Sequence, residues 1–149
     1  MKTEIFDFVG FKGMVLPAYI WLPEGEVEAV LQIAHGMTEH MGRYEAFAQH
    51  LCSMGIAVAG FDLRGHGKNS GDRSVASFGE GGWAASIEDM RMFYELLKQR
   101  LTVVPHYMLG FSLGSFLLRE YLTKYPAEGE IAGAGLDVLC QEPMRPENP

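Results

Sequence analysis

Cysteine is scarce in this chain of 149 residues, and acidic residues outnumber basic ones. The two cysteines, Cys52 and Cys140, lie far apart without metal-type spacing, which argues against a disulfide framework and a zinc site. Lys and Arg total 12 against 19 Asp and Glu, so the net charge is −7 and a nucleic-acid partner is not expected. No apolar run approaches the ~18 residues of a membrane span, and no signal peptide is evident, so we expect a cytoplasmic protein.

The remaining composition is that of a globular domain. Hydrophobic residues make up 48% and charged residues 21% of the chain. Glycine is abundant, because it accounts for 18 of the 149 residues, whereas its typical share of a protein is about 7%. Tight turns and close backbone packing are therefore expected.

Strand-like and helix-like segments alternate along the chain. Short apolar runs bounded by glycine or a polar residue predict buried parallel strands, and they cover 29–36, 56–62, 106–111 and 131–136. Apolar residues at helical spacing predict three helices, at 44–54, 83–101 and 113–124. Segments 4–10 and 14–23 predict an antiparallel pair of strands before all of these.

This order predicts a three-layer α/β domain with a mostly parallel sheet and right-handed crossovers. We assign the domain to residues 1–136. Residues 137–149 contain three prolines in thirteen residues and no period, and we expect an irregular tail there.

Ser112 lies between two glycines at the end of a predicted strand. The stretch Gly110-Phe111-Ser112-Leu113-Gly114 matches the pattern G-x-S-x-G. A nucleophile at a sharp strand-to-helix turn is held in a strained conformation, and crowding around it requires small residues two positions before and after. A structural serine at a tight turn is the alternative. The strand before the motif and the helix after it favour the nucleophile.

Two backbone amides are candidates for an oxyanion hole. One is the N–H of Leu113, directly after the nucleophile. The second should come from the loop after an earlier strand, where His35 and Gly36 end an apolar run. Gly36 allows a close turn, and the Met37 N–H would then face the site.

Three segments resemble the hallmark segments of the monoacylglycerol lipase and lysophospholipase group of α/β-hydrolases, also called serine-aminopeptidase-like hydrolases. They are HGMTEHMGRY at 35–44, FDLRGHGKNSG at 61–71 and GFSLGS at 110–115. The resemblance covers roughly residues 5–136 and implies an eight-stranded, mostly parallel sheet flanked by helices. It implies acyl-ester hydrolysis, commonly of glycerolipids, without a cofactor or metal, with Ser112 as the nucleophile.

The other polar residues of these segments are interpreted as structural. The resemblance assigns Asp62, Arg64 and His66 to a supporting loop, which is also the common role of charged loop residues. His35 is expected to brace the oxyanion loop rather than to act as a base. The residues expected to fix the same loop and the next helix are Glu39, His40, Arg43 and Tyr44.

The base for Ser112 is missing from the sequence. In this fold the acid and the histidine follow the nucleophile, but all five histidines precede Ser112. Asp137 comes too early to be the triad acid. We therefore expect an N-terminal portion of a hydrolase, truncated before the lid and the last strands. The alternative is a short form that binds an acyl ligand or a partner chain without hydrolysing it.

Overall fold

A mixed β-sheet runs through the molecule. The computed structural model describes residues 1–70, 77–126 and 133–137, of which 136 and 137 only in their backbone. These residues form six strands, in the spatial order β1-β2-β4-β3-β5-β6. The strands are β1 (Lys2–Val9), β2 (Val15–Leu22), β3 (Ala29–Ala34), β4 (Ile56–Phe61), β5 (His106–Phe111) and β6 (Gly133–Asp137).

The first two strands run antiparallel to their neighbours, and the other pairs are parallel. Each predicted strand is confirmed in place and direction. Residues 131 and 132 of the last predicted strand lie outside the described residues. The predicted irregular tail began at residue 137, but Asp137 pairs with Phe111 and ends β6; residues 138–149 lie outside the described residues.

Three α-helices accompany the sheet in the part of the chain that the structure describes. They are α1 (Glu45–Cys52), α2 (Gly82–Arg100) and α3 (Leu113–Lys124). The bounds of α3 are those predicted, whereas the predicted first helix is shorter and follows a 3₁₀ turn over Met41–Tyr44. Among the described residues, no helix combines the length and the hydropathy that crossing a membrane requires.

The helices cover both faces of the sheet, which confirms the three layers. Ala48 and Cys52 of α1 pack with Trp21, Ile33 and Val58 in one buried cluster. The larger cluster combines α2 and α3 with alternate residues of the same strands. Because the central strands are buried on both faces, they appear in the sequence as continuous apolar runs.

The strand connections lead across the sheet in opposite directions from β3 and from β5. The connection from β3 leads through α1 to β4 on one side, whereas β5 leads through α3 to β6 on the other. Helix α1 lies on one face of the sheet, and α2 and α3 lie on the other. Because the face and the direction of the connection change together, the crossovers have the same handedness. Ligands of open α/β sheets bind at such a switch point, outside the carboxyl ends of the strands. Here those ends are Ala34 of β3 and Phe111 of β5.

Helix α2 packs its predicted stripe on the sheet. The apolar residues that step by three and four along the predicted helix are Trp83, Ile87, Met90, Tyr94, Leu97 and Leu101. The middle four are buried, and Trp83 and Leu101 are partly buried against the same cluster. The stripe omitted Phe93, whose ring stacks edge-on against Phe8 and Phe61, with ring centroids 5.2 Å apart in each pair. Helix α2 thus holds the opening strands and β4 together.

We expect Ile87→Asp to lower the free energy of unfolding by about 3 kcal/mol or more, because it buries a carboxylate without a partner. Met92→Asp, on the same helix at a side chain that is 39% exposed, should cost about 1 kcal/mol or less. Urea unfolding followed by circular dichroism measures both. Equal stability of the two variants would show that α2 does not pack as described.

Candidate active site at the nucleophile turn

Ser112 occupies a strained turn between β5 and α3. Its backbone angles are φ 47° and ψ −113°, which residues other than glycine rarely adopt. The turn that the motif predicts is therefore present. Strain of this kind persists only where the surrounding structure enforces it, and it lifts the Ser112 side chain out of the sheet end.

The two glycines of the motif are enforced by packing. A Cβ atom at Gly110 would lie 2.6 Å from the Gly114 carbonyl oxygen. A Cβ atom at Gly114 would overlap the carbonyl oxygen of Ala34, the last residue of β3. The first turn of α3 therefore sits directly on the end of β3, and this contact brings Ser112 beside the loop that follows β3.

That loop is held close to β5 by its own polar network. A Cβ atom at Gly36 would lie 3.0 Å from the ring of Phe111. The Glu39 carboxylate accepts hydrogen bonds from the Gly36 N–H at 2.9 Å and the Tyr44 hydroxyl at 3.0 Å. Arg43 pairs with the same carboxylate at 3.0 Å. Glu39, Arg43 and Tyr44 thus fix the loop, as predicted. His40, which was predicted with them, takes part through its backbone carbonyl, which accepts the Arg43 N–H at 3.2 Å.

His35 is fully buried, and both of its ring nitrogens are engaged. The Leu63 N–H donates to Nε2 at 2.9 Å, so the ring proton resides on Nδ1, which donates to the Gly36 carbonyl at 2.8 Å. Burial is the main cause that lowers the pKa of His35 to about 4. His35 is therefore neutral near pH 7, and its two hydrogen bonds join the loop after β3 to the loop after β4.

The two predicted oxyanion donors have free amides. Among the described residues, no hydrogen bond leaves the N–H of Met37 or of Leu113. Leu113 is the first residue of α3, where the N–H has no partner within the helix and the helix dipole favours negative charge. Leu113 directly follows Ser112, and Met37 lies in the loop that follows β3.

The loop after β4 holds the neighbouring segments in place through hydrogen bonds and an ion pair. Asp62 accepts the N–H groups of Met41 at 2.8 Å and Lys68 at 3.1 Å. Arg64 forms a buried ion pair with Asp89 of α2, with Nε and Oδ2 2.6 Å apart. His66 contacts the Arg64 carbonyl through Nδ1 at 2.8 Å. These contacts agree with the structural interpretation of the loop.

Asp89 is the polar residue that the sequence analysis missed. Its carboxylate also accepts the N–H of Phe11 at 2.7 Å, which joins the first connection to α2. Gly10 must lack a side chain because a Cβ atom there would overlap Asp89. The burial of Asp89 depends on a partner from another segment, so no periodicity in α2 indicates it.

Apolar side chains are exposed around the turn. The exposed fraction is 55% for Met37, 37% for Phe111 and 50% for Phe116 in the first turn of α3. Among the described residues, no group of three or more His, Cys, Asp or Glu could hold a metal ion. The site can present a serine hydroxyl, amide donors and an apolar rim.

Comparison with known proteins identifies one matching family and several related lipases. The family described as "Serine aminopeptidase, S33" matches residues 25–136. The monoacylglycerol lipase of Mycolicibacterium smegmatis is 30% identical over 82% of this chain and 42% of its own length. Human monoglyceride lipase is 30% identical over 87% of this chain and 41% of its own.

A carboxyl esterase from Bacillus coagulans, solved in complex with glycerol, superposes with a TM-score of 0.81 at 27% identity. The superposition covers 91% of this chain and 44% of that chain. The chain thus spans about two fifths of the length of the relatives that it matches. Their common fold is the α/β-hydrolase fold, and the chain belongs to its serine aminopeptidase S33 family.

Proposed function

We propose that this chain carries the nucleophile and the oxyanion hole of a serine hydrolase that cleaves carboxylic esters through an acyl-Ser112 intermediate. The substrates would be acylglycerols or similar lipid-derived esters such as lysophospholipids. Neither a metal nor an organic cofactor is part of the proposed reaction.

The strained turn at Ser112 is the observation that carries the proposal. The turn lies beside the loop after β3, at the switch point of the sheet. We propose that the unbonded amides of Met37 in that loop and of Leu113 after Ser112 act as the oxyanion donors. A nucleophile with two nearby amide donors fits acyl transfer, in which negative charge develops on the carbonyl oxygen.

The proposed reaction has two steps. Ser112 Oγ attacks the ester carbonyl, its proton passes to a base, and the two amides stabilise the oxyanion. When the intermediate collapses, the carbon–oxygen bond to the alcohol breaks and the alcohol takes that proton. Water then attacks the acyl-serine by the same route, which releases the carboxylic acid and restores Ser112.

The three buried histidines of the chain are not placed to act as the base. Both ring nitrogens of the buried His35 form hydrogen bonds. His66 is also buried, and the centroids of the His35 and His66 rings are 5.3 Å apart. His106 begins β5, at the strand end opposite Ser112. We place the base and its acid in the part of the relatives' length that this chain does not span, since both follow the nucleophile in this fold.

The apolar rim supports an acyl substrate. Met37, Phe111 and Phe116 expose hydrophobic surface around the turn, and binding sites for apolar ligands are lined in this way. The names of the relatives indicate the same class, since they are monoacylglycerol and monoglyceride lipases.

Binding without hydrolysis is the alternative function. An apolar depression of about 550 Å³ lies on the α1 face, between Phe47 and Leu51 of α1 and the strands β5 and β6. Ser112 does not line it. A short form that binds an acyl ligand or a partner chain would use this surface rather than the nucleophile turn.

We expect the 149-residue chain to react slowly with a fluorophosphonate at Ser112 and to hydrolyse p-nitrophenyl butyrate weakly. A missing general base costs about 10²–10⁴-fold, whereas an oxyanion hole and binding alone can retain roughly 10³-fold over water. Ser112→Ala should abolish both signals. Mass spectrometry of the labelled chain and absorbance of the released nitrophenol measure them.

Ser53→Ala is the matched control, because Ser53 is exposed at the end of α1 and its hydroxyl donates to the His50 carbonyl, away from Ser112 in the sequence. Equal labelling of the parent chain and Ser112→Ala would contradict the proposal. Turnover of a monoacylglycerol at ordinary enzymatic rates would contradict the assignment of the base to sequence outside this chain.

The neutral state of His35 predicts a loss of stability in acid. The unfolded chain takes up this proton near pH 6.5, whereas the folded chain resists it until about pH 4. The unfolded state therefore binds more protons between these values, and the His35 contribution should fall by about 2 kcal/mol from pH 7 to pH 5. Urea unfolding at the two pH values measures the change.

His35→Asn is the control, because it removes the titrating group. Its stability should depend less on pH in this window, with a remainder from His106, whose pKa burial also lowers. An equally steep pH dependence in the parent chain and in His35→Asn would show that His35 is not held neutral by the fold.

A further inference from the structure

We propose that His35 is a positioning residue that orients the Met37 amide by holding the carbonyl of Gly36. This inference rests on the proposed function, because it assigns a cause to the direction of one oxyanion donor. The bond between His35 Nδ1 and the Gly36 carbonyl oxygen, 2.8 Å long, carries it.

The Gly36 carbonyl and the Met37 N–H belong to the same peptide unit. That unit is planar and trans, so the two groups point in opposite directions. His35 draws the carbonyl oxygen toward its buried ring, and the Met37 N–H must then point away from the ring. Met37 as a whole residue is 55% exposed, which agrees with an outward-facing segment.

A contact from another loop decides which ring nitrogen of His35 carries the proton. The Leu63 N–H, in the loop after β4, donates to Nε2 at 2.9 Å and leaves Nδ1 as the donor. If the proton moved to Nε2, it would face another donor, and Nδ1 would face the Gly36 carbonyl as a second acceptor. The loop after β4 thus selects the tautomer that can hold Gly36.

Glu39 fixes the other side of the same residue. Its carboxylate accepts the Gly36 N–H at 2.9 Å, while Tyr44 and Arg43 hold the carboxylate in place. Gly36 is therefore bound through both its N–H and its carbonyl. A glycine, which rotates freely in an unfolded chain, becomes a fixed support for the Met37 amide.

The two bonds of His35 can be separated by substitution. An Asn side-chain nitrogen lies as many bonds from Cβ as Nδ1 does, so His35→Asn retains a donor toward Gly36 and loses the contact with Leu63. A Gln side chain reaches as far as Nε2, so His35→Gln retains an acceptor for Leu63 and loses the donor toward Gly36. His106→Gln is the matched control, because it alters a buried histidine at the opposite strand end.

The experiment measures orientation and reactivity separately. The residual dipolar coupling of the Met37 N–H bond reports its direction in weakly aligned protein, without any reaction. The rate of fluorophosphonate labelling at Ser112 reports the oxyanion hole. We expect His35→Gln to change the coupling and to slow labelling about tenfold or more, since loss of an oxyanion donor costs about 10²–10³-fold. His35→Asn should react several-fold faster than His35→Gln, and His106→Gln should match the parent in both measurements.

An unchanged Met37 coupling in His35→Gln would overturn the positioning role, whatever the reactivity of Ser112. A changed coupling with labelling as fast as the parent's would overturn it as well. If the parent chain does not label at Ser112 at all, the proposed function fails, and the coupling alone decides the orientation. If His35→Gln does not fold, the ¹⁵N chemical shifts of the imidazole in the parent chain show which ring nitrogen carries the proton. A proton on Nε2 would overturn the proposal, because an unprotonated Nδ1 cannot donate to the Gly36 carbonyl.

Discussion

The contact between Gly114 and the Ala34 carbonyl determines how the rest of the site is arranged. Because no side chain fits at Gly114, the first turn of α3 rests on the end of β3. The chain must then turn sharply between β5 and α3, and Ser112 takes up the strain of that turn. The same contact places the turn beside the loop after β3, so a single close approach of two backbones sets Ser112 next to that loop.

Polar contacts from other segments make this arrangement rigid. The loop after β4 supplies the Leu63 amide to His35, the Asp62 carboxylate to Met41, and the Arg64 guanidinium to Asp89 of α2. These groups are buried and paired, and burying them unpaired would be costly. The charged loop after β4 is therefore a support, and under the proposed function the base of Ser112 comes from sequence outside this chain.

Much of this could be predicted from the sequence, and the remainder depends on long-range partners. Continuous apolar runs and helical spacing indicated the strands and α3, and the glycine spacing around Ser112 indicated the strained turn. The ion pair of Asp89 was not predictable, since its partner Arg64 lies 25 residues away and comes from a loop. The 3₁₀ turn before α1 was also missed, because the Asp62 carboxylate holds the N–H of Met41 at its start. The role of Met37 stays a prediction.

Substitution of Gly114 by alanine tests the close contact most directly. Alanine normally stabilises a helix by about 1 kcal/mol relative to glycine, so any loss must come from the clash with Ala34. Gly25→Ala is the control, because a Cβ atom there meets nothing within 4 Å. We predict that Gly114→Ala lowers both the free energy of unfolding and the rate of fluorophosphonate labelling at Ser112, whereas Gly25→Ala changes neither. A Gly114→Ala variant as stable and as reactive as Gly25→Ala would contradict the account.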